Sequence, residues 1–570
     1  MSEIQRRIDE IRFRNSEVEN HLIDSYRGGS IDRREFVRRG SVLGMSLGSL
    51  GFLASACGSG KKDSGGDGES SASSSDQLSA KVKPGGKVTV GINSPAGAID
   101  PFKVADDGGV AVLAQASEYL VWSDSKLNAV PRLAVSWKPN ADASEWTFKI
   151  RQGVKFHDGT PMTAEDVAES INRLADPKSG SQALSAFNGV IGKDSAKATD
   201  ANTVVFSLDS PNGNFPYLLS SDNYNTVILP KTYNDNYEKN WTGTGPFKID
   251  KFNQGESATF VKNPDYWDKG RQPNPDNTEI RFYAKEEARV FALQSGEIDA
   301  VVQFSAGDGR ALLTDPNVQT VELLAATHRQ VHMRTDRAPF RDKRTRQAMA
   351  LLLDRQGMVQ GLFQGKAKEG NDSPFSPLYK YTAKDVAQRQ QDIAKAKQLL
   401  SDAGQSGGFT VELDTWDGFE IPDLAQLIQS NAKQAGINIQ LEISDSSTYY
   451  GDAAYGKSRW LDSTMGITDY GHRGVVNVFL GAPLQSNGTW NSAHFRNPQY
   501  DKLVKDFTAQ LDIPAQTRVA KQIQELLLDE TPIMIPYFYD FLTGVRKGIG
   551  GVETTAMAHV QLTRAGKTIA

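Results

Sequence analysis

From Lys81 onward the spacing of apolar positions alternates between a period of two and a period of three to four. Gly86 to Ile92 alternates apolar and polar side chains, which predicts a half-buried strand where the fold begins. Glu145 to Ile150 alternates in the same way. A turn-rich His157-Asp158-Gly159-Thr160 follows. Thr163 is then placed to cap a helix with Asp166 three residues on, and Val167, Ile171 and Leu174 share one face before Pro177. Further helices are predicted over 385–403, 423–435, 499–511 and 515–529, with strands over 409–413, 437–443 and 533–538. Helices and strands thus alternate through the second half without an internal repeat, as expected of packed α/β layers.

The first eighty residues follow neither rhythm. Arg33 and Arg34 precede an uncharged, mildly apolar stretch from Gly40 to Ala56, which is shorter than the roughly 20 residues that span a bilayer. This pattern looks like a twin-arginine export signal. Leu53-Ala54-Ser55-Ala56-Cys57 carries two readings. It resembles a lipobox, in which Cys57 is acylated and anchors the chain to a membrane; Ala54-Ser55-Ala56 also suits ordinary cleavage after small residues. Both place the mature protein outside the cytoplasm, in the periplasmic space or on the outer face of the cytoplasmic membrane. Residues 58–80 are rich in Gly, Ser and charge, the composition of a flexible linker.

Composition removes several classes of function. The net charge is -5 and Lys and Arg are dispersed, so no basic stripe is available for nucleic acid. With Cys57 as the single cysteine, neither a disulfide framework nor a thiolate metal site can form. Gly44-Met45-Ser46-Leu47-Gly48 has the spacing of a nucleophile elbow but lies inside the signal's apolar core. His328 and His332 lie in an extended segment without a carboxylate cluster, and His157-Asp158 reads as a loop-fixing pair. No catalytic residue, metal or cofactor is therefore expected, and the chain reads as a non-enzyme. Trp416, Tyr449, Tyr450, Tyr455, Trp460, Tyr470 and Trp490 crowd the second half, where rigid rings with polar edges suit either a core or a ligand.

An ordered series of segments carries a resemblance. It runs through Val130-Pro131-Arg132-Leu133-Ala134, Trp146 to Pro161 with Thr163-Ala164-Glu165-Asp166-Val167, Gly243-Thr244-Gly245-Pro246-Phe247 and Asn263-Pro264-Asp265-Tyr266-Trp267. Leu293 to Ala300, Pro339 to Ala348, Leu353-Asp354-Arg355 and Ala394 to Gly404 continue it. Together they resemble the family 5 extracytoplasmic solute-binding proteins, the dipeptide- and oligopeptide-binding type that serves ABC importers. The resemblance implies an α/β, two-lobed periplasmic-binding-protein-like fold with a hinge and an extra subdomain in the first lobe. It divides the chain into a first lobe over 81–325, a second over 326–535 and a return to the first over 536–570.

The resemblance also implies capture of a small solute, a di- or oligopeptide, between the lobes for delivery to an ABC permease and its ATPase. A nickel complex, an opine, an oligosaccharide or a solute-sensing receptor role stays open as the alternative. Met465 to Gly471 resembles the segment whose aspartate holds a peptide's ammonium, which makes Asp469 the leading ligand-binding candidate, with Tyr470 beside it. Trp416, Trp490 in Asn487-Gly488-Thr489-Trp490-Asn491, and Gly97 in the loop Ser94 to Pro101 complete the implied set. Two departures stand out: His472-Arg473-Gly474 replaces an acidic, proline-containing run, and Trp416-Asp417-Gly418-Phe419-Glu420 lacks the arginine that meets a dipeptide's carboxylate.

Overall fold

The protein is described by a computed structural model covering residues 74–234 and 236–569. The expected export signal with Arg33 and Arg34, the Cys57 anchor and most of the linker lie outside the described residues. The end of the expected linker is ordered: Ser74–Ser79 is a short helix that packs against the strand Val318–Leu323, and the Gly551 amide donates to the Gln77 carbonyl at 3.0 Å. Among the described residues no helix is long and apolar enough to cross a membrane.

The first lobe is built on seven strands in the order Val318–Leu323, Phe541–Arg546, Ala300–Phe304, Lys87–Asn93, Asn277–Tyr283, Ser257–Lys262 and Phe247–Asn253. Lys87–Asn93 runs parallel to both of its neighbours. The half-buried strand expected here is instead buried throughout Val88–Ile92, because a central strand covered on both faces has no solvent side. Its polar member Thr89 survives burial by binding: its amide donates to Asp299 at 2.9 Å.

The extra subdomain is a four-stranded antiparallel sheet, Ala134–Pro139, Glu145–Ile150, Thr203–Ser207 and Ala196–Asp200, with the helix Ala164–Ala175 laid against it. The predicted cap is present: Thr163 and Asp166 form a reciprocal capping box, and Val167, Ile171 and Leu174 are fully buried on the face that packs inward. Phe148, Phe206 and Phe215 interlock edge-to-face at 5.2 to 6.2 Å, each burial worth roughly 2 to 3 kcal/mol.

The second lobe has its own sheet, ordered Ala367–Glu369, Tyr537–Tyr539, His328–Met333, Met465–Tyr470, Thr410–Trp416 and Asn438–Ser444, with Ile533–Met534 paired beside His328–Met333. The strand predicted over 533–538 is split in two, since Pro536 donates no hydrogen bond to a ladder. The helix predicted from residue 385 begins at Ile393, where Asp392 caps the Lys395 amide; residues 384–386 turn and 387–392 carry no regular element, with Arg389 paired to Asp372. Helices Ile421–Lys433, Pro498–Ala509 and Ile513–Glu530 lie within two residues of their predicted bounds. The chain passes between the two sheets twice, between Leu323 and His328 and at Asp540.

Several of the ordered landmarks meet in space. Glu118, buried behind the first sheet, accepts from Arg132 at 2.6 Å, Tyr266 at 2.8 Å, Thr244 at 3.2 Å and the Trp267 indole. In the second lobe Arg355 and Arg389 converge on the fully buried Asp372 at 2.7 and 2.6 Å. These landmarks hold the scaffold, as buried charges must be paired to be tolerated.

Candidate functional site

In the second lobe the strands Thr410–Trp416 and Met465–Tyr470 are parallel neighbours, so both end at the same edge of the sheet. His328–Met333 runs antiparallel to the latter and brings its first residues to that edge, with Arg329 opposite Asp469 and His328 opposite Tyr470. The short helix Ser446–Tyr450 covers the edge from one side, and Glu420, at the start of the helix Ile421–Lys433, from the other.

Charge is distributed unevenly there. Arg329 is buried and fully engaged: Nε and Nη2 each donate to the Glu420 carboxylate at 2.9 Å, and Nη1 donates to the Tyr539 hydroxyl at 3.0 Å. Its guanidinium is sandwiched by Phe419 at 5.1 Å and Tyr539 at 4.8 Å. Burial opposes the charge, yet Tyr539, Glu420 and Asp469 together hold the guanidinium firmly protonated. Tyr537 gives Glu420 a further hydrogen bond at 2.8 Å. The half-buried Asp469 accepts from the Tyr450 hydroxyl, and burial together with that carboxylate pushes the phenol up. One cation and two carboxylates leave a surplus negative charge centred on Asp469, which a ligand cation would neutralise.

Aromatic rings wall this carboxylate. Tyr450 stands edge-on to Trp416 at 6.1 Å and to Trp460 at 5.6 Å, and Trp416 to Phe419 at 5.5 Å. Phe419 is 74% exposed with its backbone in the left-handed region (φ 53°), an arrangement that costs energy for a residue with a Cβ and sets its ring outward. The indole nitrogens of Trp416 and Trp460 and the hydroxyl of Tyr470 are buried without a hydrogen-bond partner among the described residues.

Of the expected ligand-binding residues, Asp469, Tyr470, Trp416 and Trp490 therefore share one cluster; Trp490 joins it through Tyr470 at 6.3 Å and through the core of Tyr449 and Trp460. Gly97 lies apart, exposed on the first lobe, in a loop whose Ala96 amide donates to Asp106 at 3.2 Å. Sequence reading missed Arg329 and Glu420. Their 91-residue separation hides the pair, and only the strand register opposite Asp469 reveals it.

The two lobes touch beyond this edge. The Gly213 amide donates to the Thr508 carbonyl at 2.8 Å, and Asn214 donates to Asn477 at 3.0 Å. A small pocket of about 30 Å³ lies between the lobes, lined by Tyr217, Asp222 and Tyr224 from the first lobe and by Arg473 and Val478 from the second. His157 and the two strand histidines do what was expected of them structurally: His157 is bonded to the Gly245 carbonyl at 3.0 Å, and His328 and His332 are buried in the sheet.

The sequence profile of the bacterial extracellular solute-binding proteins, family 5, matches residues 128–472, more than half of the chain. The chain belongs to this family. The family is one of extracytoplasmic binding proteins rather than enzymes, and its fold is the two-lobed one described above. Among characterised relatives, the chain is 26% identical to the "Probable D,D-dipeptide-binding periplasmic protein" of Escherichia coli K12, over 74% of this chain and 81% of that protein. It is 27% identical to heme-binding protein A of Haemophilus influenzae, over 70% of this chain and 77% of that protein. Its fold is similar to that of the ABC transporter substrate-binding protein CtaP of Listeria monocytogenes, with a TM-score of 0.75 at 22% identity, covering 85% of this chain and all of that one.

Proposed function

We propose that this family 5 protein captures di- or oligopeptides between its lobes and presents them to an ABC permease and its ATPase. The observation that carries this reading is the surplus carboxylate: Asp469 lies opposite an Arg329 already neutralised by Glu420, so the site is completed by a ligand ammonium. Trp416, Tyr470 and Trp490 supply apolar walls for the peptide, and the loop carrying Gly97 closes over it from the first lobe. The first lobe expected over 81–325 and the second, whose sheet runs on through Tyr539 rather than ending at 535, move about the two crossings near residues 324–327 and Asp540, and closure persists to the extent that the ligand binds both faces. Export through Arg33 and Arg34 and acylation of Cys57 would tether the protein beside its permease.

The test is mass spectrometry of ligand released from the purified protein. Recovered peptides support the reading. A recovered non-peptide solute, such as an opine, a metal complex or a porphyrin, refutes the peptide assignment and leaves the binding-protein family membership intact. Intact-mass measurement of the membrane-extracted chain separates a diacylated Cys57 from a terminus produced by simple cleavage.

A further inference from the structure

The lobes meet through contacts that involve none of the residues assigned to the ligand. The first-lobe tip Asn212-Gly213-Asn214 reaches the helices Pro498–Ala509 and Ile513–Glu530 and the start of the short helix Asn477–Gly481, all of the second lobe. Gln516 donates to the side-chain carbonyl of Asn214 at 3.0 Å, and the Asn214 side-chain nitrogen donates onward to Asn477 at 3.0 Å, so a single chain of amides crosses the junction. Asn214 and Gln516 are both buried. The tip is shaped for this within its own lobe, where Asn212 accepts the Asn214 backbone amide at 2.9 Å. A Cβ on Gly213 would sit 1.9 Å from the Gln510 carbonyl oxygen, so only glycine permits the approach that lets its amide reach Thr508.

Each lobe also places a side chain in the other's apolar core. Leu127, at the turn between Val121–Ser123 and Ala129–Pro131, is buried in the core that holds Tyr379, Tyr381 and Phe507 of the second lobe. Its backbone is left-handed (φ 54°), a conformation that costs energy for a residue with a Cβ, and the Tyr217 hydroxyl holds its carbonyl at 2.7 Å. In return Val475 is buried in the core of the first lobe. Its neighbour Gly474 lies against Asp222, where a Cβ would sit 1.6 Å from Oδ2. Burial raises the Asp222 carboxyl to about 7, and Arg473 pulls against that rise from the opposite lobe. Parting the lobes here would return apolar side chains and bonded amides to water, which costs free energy whatever the ligand.

We infer that this junction is a latch: the amide chain through Asn214, the close approach at Gly213 and the exchange of Leu127 for Val475 supply a part of the closing free energy that no ligand contributes. A ligand that requires the closed form binds more tightly in proportion to the fraction of the chain already closed, so the latch sets affinity without touching the ligand. The inference holds for any captured solute and does not rest on the peptide reading.

The test is small-angle X-ray scattering of the full chain, refolded from urea to remove copurified solute, on the wild type, Gly213→Ala, Asn214→Ala and Gln516→Leu. Gly213→Ala pushes the tip off Gln510, while Asn214→Ala and Gln516→Leu each cut the amide chain from one lobe. The expected result is that all three variants still unfold cooperatively in urea but scatter with a larger radius of gyration than the wild type. Asn214→Ala combined with Gln516→Leu should expand the chain no further than the stronger of the two alone, because both break the same chain of bonds. Folded variants with the wild-type radius of gyration overturn the latch, since the junction then survives lobe motion or adds nothing to closure. Loss of cooperative unfolding in all three overturns it as well, because these contacts then belong to the fold and not to a reversible closure.

Discussion

Two regions of the molecule are assembled from the same ingredients and do opposite things. Around Glu118 an arginine, a tyrosine, a tryptophan and a threonine all donate to one carboxylate whose two oxygens are both filled. Around Arg329 an arginine, tyrosines and tryptophans again surround carboxylates, but there the balance does not close: Glu420 consumes the cation and Asp469 receives only the Tyr450 hydroxyl from a side chain among the described residues. The first arrangement spends all its electrostatics on holding the first lobe together. The second leaves a residue of charge on the half-buried Asp469 at the end of its strand, which is what a binding site requires and a core cannot tolerate.

The comparison can be broken most forcefully at Glu118. Glu118→Gln leaves the buried Arg132 with only the more distant Asp268, at 3.7 Å, as counter-charge and should cost about 3 kcal/mol, seen as a large drop in the urea midpoint, while ligand affinity of the folded fraction is unchanged. Glu420→Gln should cost less stability, about 2 kcal/mol, because Asp469 can turn its charge toward Arg329. The same variant should lose about tenfold in affinity for an ammonium ligand, since the surplus charge is then consumed; calorimetry and urea titration on one preparation check both.

Acid sharpens the contrast further. His472, which carries the loop after Asp469 by accepting the Ala326 amide, is held down to about 3 by burial and then by Arg473. Between its ordinary value of 6.5 and about 3 the unfolded chain binds a proton there that the folded chain refuses, so this contribution to stability is present above 6.5 and is lost as pH falls. His472→Gln should therefore show a shallower loss of melting temperature between pH 7 and pH 4.5 than the wild type. The smallest effect is expected at Phe419: Phe419→Ala relieves little of the left-handed strain and removes an exposed ring, so stability should change by about 1 kcal/mol or less. Affinity for peptides with a large apolar first side chain should fall only a few-fold.

How much of this was legible in the chain depends on how local the cause is. The helix Ala164–Ala175 was readable because Thr163 and Asp166 satisfy its first turn within four residues. The strand Lys87–Asn93 was readable as a strand but not as a central one, because the strands that cover it come from residues 277–283 and 300–304. At the site, Asp469 with Tyr470, Trp416 and Trp490 was found through resemblance and aromatic crowding. The electrostatic balance that gives Asp469 its meaning was not, for it depends on Arg329 and Glu420 meeting across the sheet.

The central claim, that Asp469 carries the charge which selects the ligand, is tested most directly by a calorimetric cycle. One axis compares a free peptide with its N-acetylated form, and the other the wild type with Asp469→Asn. The account predicts that acetylation and Asp469→Asn each weaken binding about a hundredfold and that the two losses do not add, because both remove the same ion pair. Full additivity of the losses, or retained affinity for the acetylated peptide in the wild type, would contradict it.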